Sequence, residues 1–165
     1  MDKFLLKTVA ALDDCKHHLE NTKSLESPIA NYLTQYLAII FCAEMEEMIK
    51  QLFNKCVEQR ITYLSDSELK EFINNQLKRL KSSSLKKPDI ADYMKLFSED
   101  AKERFNNELQ NKDKEINSYA NVVNSRHAVA HTSSPNQVTF SELENAVAAA
   151  REILKAVQFA LQTEQ

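Results

Sequence analysis

The sequence predicts an all-α protein, an up-and-down bundle of about four main helices with short extra ones. Three observations carry that expectation. The chain has 165 residues and not one glycine, where an average protein has about 7%. Without glycine, turns that need a positive φ fall to Asn or Asp or are avoided, and tight β-hairpins are disfavoured. Apolar residues recur every three or four positions through several long segments, which is the helical period. Several of these segments also begin with cap chemistry, Ser27-Pro28 being the clearest case, with serine at the N-cap and proline in the first helical position.

In chain order, residues 3–20 read as a helix with Leu5, Val9, Leu12 and Leu19 as its stripe. A second helix, about 28–60, is the longest and most apolar. Ile29, Tyr32, Leu33, Tyr36, Leu37 and Ile40 line one side, and Met45, Met48, Leu52 and Cys56 continue on a rotated stripe. Such a helix is expected at the centre of a bundle. Ser65-Asp66-Ser67-Glu68 reads as a capping box opening a short helix, about 66–80, with Leu64 and Leu69 placed to staple it. A serine-lysine linker follows to Lys87. Pro88-Asp89 starts a piece to about 97, and Ser98-Glu99-Asp100 caps another to about 109. The last two elements are a helix at about 112–131 and a final helix at about 140–162. The final helix opens on the capping box Thr139-Phe140-Ser141-Glu142, with Val138 and Leu143 as the staple, and carries the stripe Leu143, Val147, Ala150, Leu154, Val157 and Leu161.

Residues 1–165 read as one domain, long enough for a substantial core. The absence of glycine excludes Gly-rich phosphate loops. A net charge of −3 provides no global basic field, so any nucleic-acid contact must use a local patch. Cys15, Cys42 and Cys56 form an odd set without metal spacing, which points to reduced thiols and a cytoplasmic location. The longest strongly apolar run, Tyr36 to Ala43, is too short to span a membrane, and Met1-Asp2-Lys3 begins no signal-peptide pattern.

The segment richest in chemistry is Arg126-His127-Ala128-Val129-Ala130-His131, at the end of the penultimate helix. It sets a permanent cation five positions before a base that titrates near neutral pH. On a helical projection, Ile116, Tyr119, Val122, Val123, Val129 and Ala130 share one arc, and Asn117, Asn121 and Asn124 lie opposite. Arg126 falls inside the apolar arc, where an arginine needs an acidic partner or a ligand. On the second helix Glu44 and Glu47 continue the line of Leu33, Leu37 and Ile40, so one of them is the expected supporting acid; the alternative is that both are solvated.

Plainer readings stand beside these. His127 and His131 at i,i+4 supply half a zinc site at most, and with no Glu after His127 and scattered cysteines no metal or cofactor is expected. His131 also suits a helix C-terminus through the helix dipole. Lys78, Arg79, Lys81, Lys86 and Lys87 form a basic segment able to hold an RNA backbone, or a solvated linker. Tyr32, Tyr36 and Tyr119 suit base stacking, or a core.

Arg126 to His131 resembles the R-x4-6-H motif of the HEPN superfamily, in which a polar residue commonly follows the arginine. The resemblance extends through Asn121-Val-Val-Asn-Ser-Arg-His-Ala-Val-Ala-His131, the short loop, and Val138-Thr-Phe-Ser-Glu-Leu143. It also takes in Ser27-Pro28 and the Ala43-Glu44-Met45-Glu46-Glu47 stretch of the long helix. It covers roughly residues 25–162 and is closest to the group called RiboL-PSP-HEPN. The resemblance implies an all-α bundle and a metal-independent endoribonuclease, active as a homodimer that joins two motifs in one cleft. RNA is then the substrate, and toxin–antitoxin or phage-defence systems the setting, often beside a nucleotidyltransferase-like antitoxin. His131 becomes the general base or acid, Arg126 the stabiliser of charge at phosphorus, and His127 the adjacent polar position. Some HEPN domains have lost catalysis and only bind RNA, nucleotides or partners, and that alternative stays open. Many members have glycine after the motif histidine; Thr132 stands there in this chain, which alters the turn rather than the chemistry.

Overall fold

The helical segments legible in the sequence are all present, with boundaries within three residues of those expected. A computed structural model describes residues 4–79, 85–132 and 138–162, without the side chains of 78–79 and 127–132. Four longer helices, α1 (Leu6–Asn21), α2 (Pro28–Ile61), α6 (Asp113–Thr132) and α7 (Phe140–Leu161), combine with the shorter α3 (Ser67–Arg79), α4 (Lys87–Lys95) and α5 (Glu99–Glu108). The described residues contain no strand, and no described helix is long and apolar enough to cross a membrane.

The cap chemistry sets most of the starts. Ser27 Oγ accepts the Ala30 N–H at 3.3 Å, with Pro28 in the first turn. Ser98 Oγ accepts from Ala101 at 3.0 Å. Thr139 and Glu142 exchange hydrogen bonds in the expected capping box, and its flanking Val138 and Leu143 are both buried in the core. The box expected at Ser65 and Glu68 is replaced by a simpler cap. Asp66 Oδ1 accepts from Glu68 N and Leu69 N at 2.9 and 3.0 Å. A carboxylate one residue nearer the helix reaches two orphan N–H groups at once and takes the N-cap position from the serine.

Glycine's absence is met in an unexpected way. Asn111 takes a positive φ of 65°, as anticipated, but Leu5 (φ 57°) and Lys23 (φ 53°) do so as well. Lys23 ends α1 in a Schellman arrangement: Ser24 N–H donates to Leu19 C=O at 2.8 Å and Lys23 N–H to Glu20 C=O at 3.1 Å. A Cβ in that left-handed position costs about 1 kcal/mol. Leu5 occupies the N-cap of α1 with no side-chain cap of its own.

One buried cluster runs from Leu5 to Leu161. α7 supplies its regular spine, because Leu143, Val147, Ala150, Leu154, Val157 and Leu161 are all buried. α6 packs along α7 and also against α2, and a Lys112–Glu152 ion pair at 2.7 Å ties its start to the middle of α7. α2 departs from the expectation of a wholly central helix. Leu37, Phe41, Cys42, Met45, Ile49, Phe53 and Cys56 face the core, whereas Ile29, Tyr32 and Tyr36 are exposed and Leu33 and Ile40 half-buried. The six residues expected on one side are thus divided among the core, its edge and solvent, because α2 is apolar around most of its N-terminal half.

Replacing Lys23 by glycine is expected to stabilise the fold by about 0.5–1 kcal/mol, read as a thermal midpoint ~2–3 °C higher; an unchanged or lower midpoint contradicts the strain assigned to that turn. Hydrogen bonds from Lys112 and then Lys155 hold the Glu152 carboxyl below its ordinary range. A lowered carboxylate pKa adds stability above the unfolded value, and that stability is lost as pH falls through the folded value. The pair is partly exposed, so the effect is small. Glu152→Gln should lower the thermal midpoint near pH 7, and the difference should close between about pH 5 and about pH 3.

Candidate functional site

α6 is fixed before it reaches its chemistry. Ile116, Tyr119, Val122 and Val123 are buried, and Asn117, Asn121 and Asn124 on the opposite side are exposed, as the projection requires. Tyr119 packs edge-on against Phe41 of α2, with ring centroids 5.9 Å apart at 86°, and its hydroxyl donates to the Leu85 carbonyl. Burial pushes that phenol's pKa up, so it remains a neutral donor. The tyrosine proves to be a core residue, unlike Tyr32 and Tyr36.

One turn beyond Val122 and Val123, Arg126 leaves the core. Its Nη1 lies 3.7 Å from Glu46 Oε1, and the two side chains are only 22% and 18% exposed. Beneath them is Cys42, one turn before Glu46 on α2 and itself buried. Burial pushes the Cys42 thiol up to about 12, against the opposing pull of the Arg126 cation. A protonated thiol at neutral pH is neither nucleophile nor metal ligand, so Cys42 acts here as apolar packing under an ion pair.

The acid beside Arg126 is therefore Glu46, and the expectation of Glu44 or Glu47 is corrected. Glu44 faces α1 instead. Its Oε1 accepts from Lys7 N at 3.0 Å, and its Oε2 accepts from the Thr8 N–H and hydroxyl at 2.7 and 2.6 Å. It caps the helix start that Leu5 leaves bare. Glu47 is exposed, accepts from Gln51 at 3.0 Å and lies 4.0 Å from Lys7. The line from Leu37 to Glu44 does continue a packed face, but the neighbour on that face is α1, antiparallel to α2, while α6 crosses nearer Cys42 and Glu46. The available clue was the i,i+4 step from a cysteine on the apolar helix to Glu46.

His127 and His131 belong to the last turns of α6, and their side chains lie outside the described residues. Lys81 and the side chains of Lys78 and Arg79 do too. Lys86 and Lys87 are half-buried at the start of α4, where the Lys86 N–H donates to Asp89 Oδ2 at 2.8 Å. A cavity of about 810 Å³ opens between the C-terminal ends of α2 and α7, lined in part by Lys55, Gln59, Arg60 and Gln158; none of the sequence-selected site residues borders it.

A double-mutant cycle tests the pairing. Glu46→Gln with Arg126→Met should give a coupling of about 1–2 kcal/mol in chemical denaturation, between exposed and buried pairs in size. Glu44→Gln should lower stability through the lost α1 cap yet couple to Arg126→Met by less than ~0.5 kcal/mol. A larger coupling for Glu44 than for Glu46 would reverse the assignment.

No curated protein and no solved structure matches the chain. The family model described as RiboL-PSP-HEPN matches residues 4–161, which takes in the described helices from α1 to α7. The chain belongs to the RiboL-PSP-HEPN family, a HEPN-type family.

Proposed function

We propose that this chain is a metal-independent endoribonuclease of HEPN type. HEPN domains are RNase-type or nucleotide-binding modules, and the observation that favours catalysis is the setting of Arg126. A half-buried guanidinium at the end of a well-anchored helix is held by Glu46, five positions before His131. A cation placed before the substrate arrives does not have to be organised during the reaction.

In the proposed reaction His131 takes the proton of a ribose 2′-hydroxyl. The 2′-oxygen attacks the adjacent phosphorus and the bond to the 5′-oxygen breaks. That oxygen leaves with a proton, giving a 2′,3′-cyclic phosphate and a 5′-hydroxyl. Arg126 offers its fork to the charge that builds on the non-bridging oxygens. His127 orients phosphate or His131. Glu46 acts through Arg126 as a positioning residue. The basic segment from Lys78 to Lys87 guides the RNA backbone. A homodimer supplies a second motif to the same cleft, and the expected setting is a toxin–antitoxin or phage-defence system with a nucleotidyltransferase-like antitoxin as partner.

The purified chain is expected to cleave single-stranded RNA in the presence of EDTA, leaving cyclic-phosphate ends. His131→Ala and Arg126→Ala should each lower the rate ~10²–10³-fold with helicity intact. Cleavage by His131→Ala at the wild-type rate contradicts the mechanism. A chain that shifts RNA on a gel without cutting it fits the alternative, a catalytically silent RNA-binding module.

A further inference from the structure

The Cys56 thiol donates to the Leu161 carbonyl at 3.8 Å, so α7 ends more than a turn before α2 does. The last face of α2 is left uncovered there and forms one wall of the 810 Å³ cavity. Lys55, Gln59, Arg60 and Tyr63 share that face, three or four positions apart. Gln158 and Gln162 meet them from the end of α7. Buried Cys56 and Leu161 give the recess an apolar floor. No Asp or Glu borders it among the described residues. Its size falls within the range of small-ligand sites, about 300–1,000 Å³.

Two cations face this recess with their charge unspent. No ion pair among the described residues takes up Lys55 or Arg60. Arg60 is fixed by neutral groups alone. Its Nη2 donates to the Leu161 carbonyl at 3.1 Å, and its guanidinium lies 5.7 Å from the centre of the Phe97 ring. The Ala160 carbonyl accepts from Arg104 at 2.9 Å and the Phe159 carbonyl from Gln162 N–H at 3.1 Å. The negative end of α7 is thereby satisfied and does not repel an anion as bare carbonyls would. At the mouth, Tyr63 is 90% exposed, the barest large apolar side chain described.

We propose that this recess holds one nucleotide of a single-stranded RNA, at a distance from the bond that is cut. Each chemical part of a nucleotide has a counterpart there. Tyr63 offers a ring for a base to stack on. Gln59, Gln158 and Gln162 are carboxamides, each both donor and acceptor, which suits the mixed edge of an unpaired base. Lys55 and Arg60 take the phosphate, the local patch that a chain of net charge −3 requires. Glu46, which holds Arg126, and Arg60 stand fourteen residues apart on α2. That is about 21 Å along the axis and within about 40° around it. A stacked strand covers the interval in roughly six nucleotides. The strand's identity as substrate rests on the ribonuclease reading; the fit of a nucleotide to the recess does not.

A fully 2′-O-methylated single-stranded 12-mer, which has no free 2′-hydroxyl to react, serves as the probe in fluorescence anisotropy. Tyr63→Ala combined with Gln158→Ala should weaken its binding at least about fivefold, and Tyr63→Phe should bind as the wild type does. If the double variant fails to fold, Lys55→Gln replaces it and should weaken binding and flatten its salt dependence. On a cleavable 12-mer the double variant should raise KM with kcat unchanged. On a trinucleotide, too short to reach from Arg126 to the recess, it should change neither. No binding by the wild type overturns the proposal, as does wild-type affinity in the double variant or an equal loss on both lengths. Displacement of the 12-mer by polyglutamate at equal concentration assigns the recess to acidic peptides and overturns it too. Binding through these residues without any cleavage keeps the recess and removes the nuclease. Cleavage with a KM that the variants do not move does the reverse.

Discussion

The constraint on which the rest depends is that one long helix must serve several neighbours around its circumference. α2 packs against α1, α3, α6 and α7, and the Glu44-Met45-Glu46-Glu47 stretch shows how the angle is divided. At about 100° per residue, Glu44 reaches the backbone of α1, Met45 enters the core, Glu46 reaches Arg126 of α6, and Glu47 stays in solvent. Three chemically identical side chains have three different roles, set only by their phase on the helix. The position of the candidate site follows from that phase as much as from the motif.

The same helix explains how a chain without glycine closes its turns. α1 begins on a leucine in the left-handed region, without a side-chain cap, an arrangement that leaves several N–H groups exposed in a marginal helix. Glu44 satisfies two of them from another element, and the Leu5 N–H finds the Met48 sulfur at 3.2 Å. Tertiary contacts thus offset local strain. At the other end of α1 the Schellman bonds do the same for Lys23.

What was legible in the sequence was local. Helix existence, the Ser27 and Thr139 caps, and the buried stripes of α6 and α7 each depend on residues within one or two turns, where spacing and cap chemistry act directly. The cap of α3 falls one position later than the sequence suggests, because Ser65 and Asp66 both suit an N-cap and the carboxylate wins by reach. The place of Arg126 at the edge of the core is readable, because it lies one turn beyond Val122 and Val123 on the same arc. Its partner is not: the apolar line through Leu37 shows that a neighbour packs there, and only the crossing of three helices decides that the neighbour is α1. The exposed side of α2 was hidden for a related reason, since periodicity marks which residues are apolar and not how many partners cover them.

The half-buried ion pair has a chemical consequence that burial alone would not give. The buried Cys42 thiol lies in the field of both Arg126 and Glu46, and the buried Tyr119 hydroxyl in that of Glu46, so on that side the pair borders a core from which water is excluded. Field from the cation is weakly screened on that side and directed outward. Glu46 at 3.7 Å balances the charge of the resting site while standing beyond ordinary hydrogen-bonding distance of Nη1. An incoming phosphate oxygen at about 2.8 Å forms a shorter, stronger contact with the same fork. On the reading proposed above, the carboxylate keeps the arginine in place before an anion binds and yields to a phosphate oxygen that comes closer, on a chain whose net charge is −3.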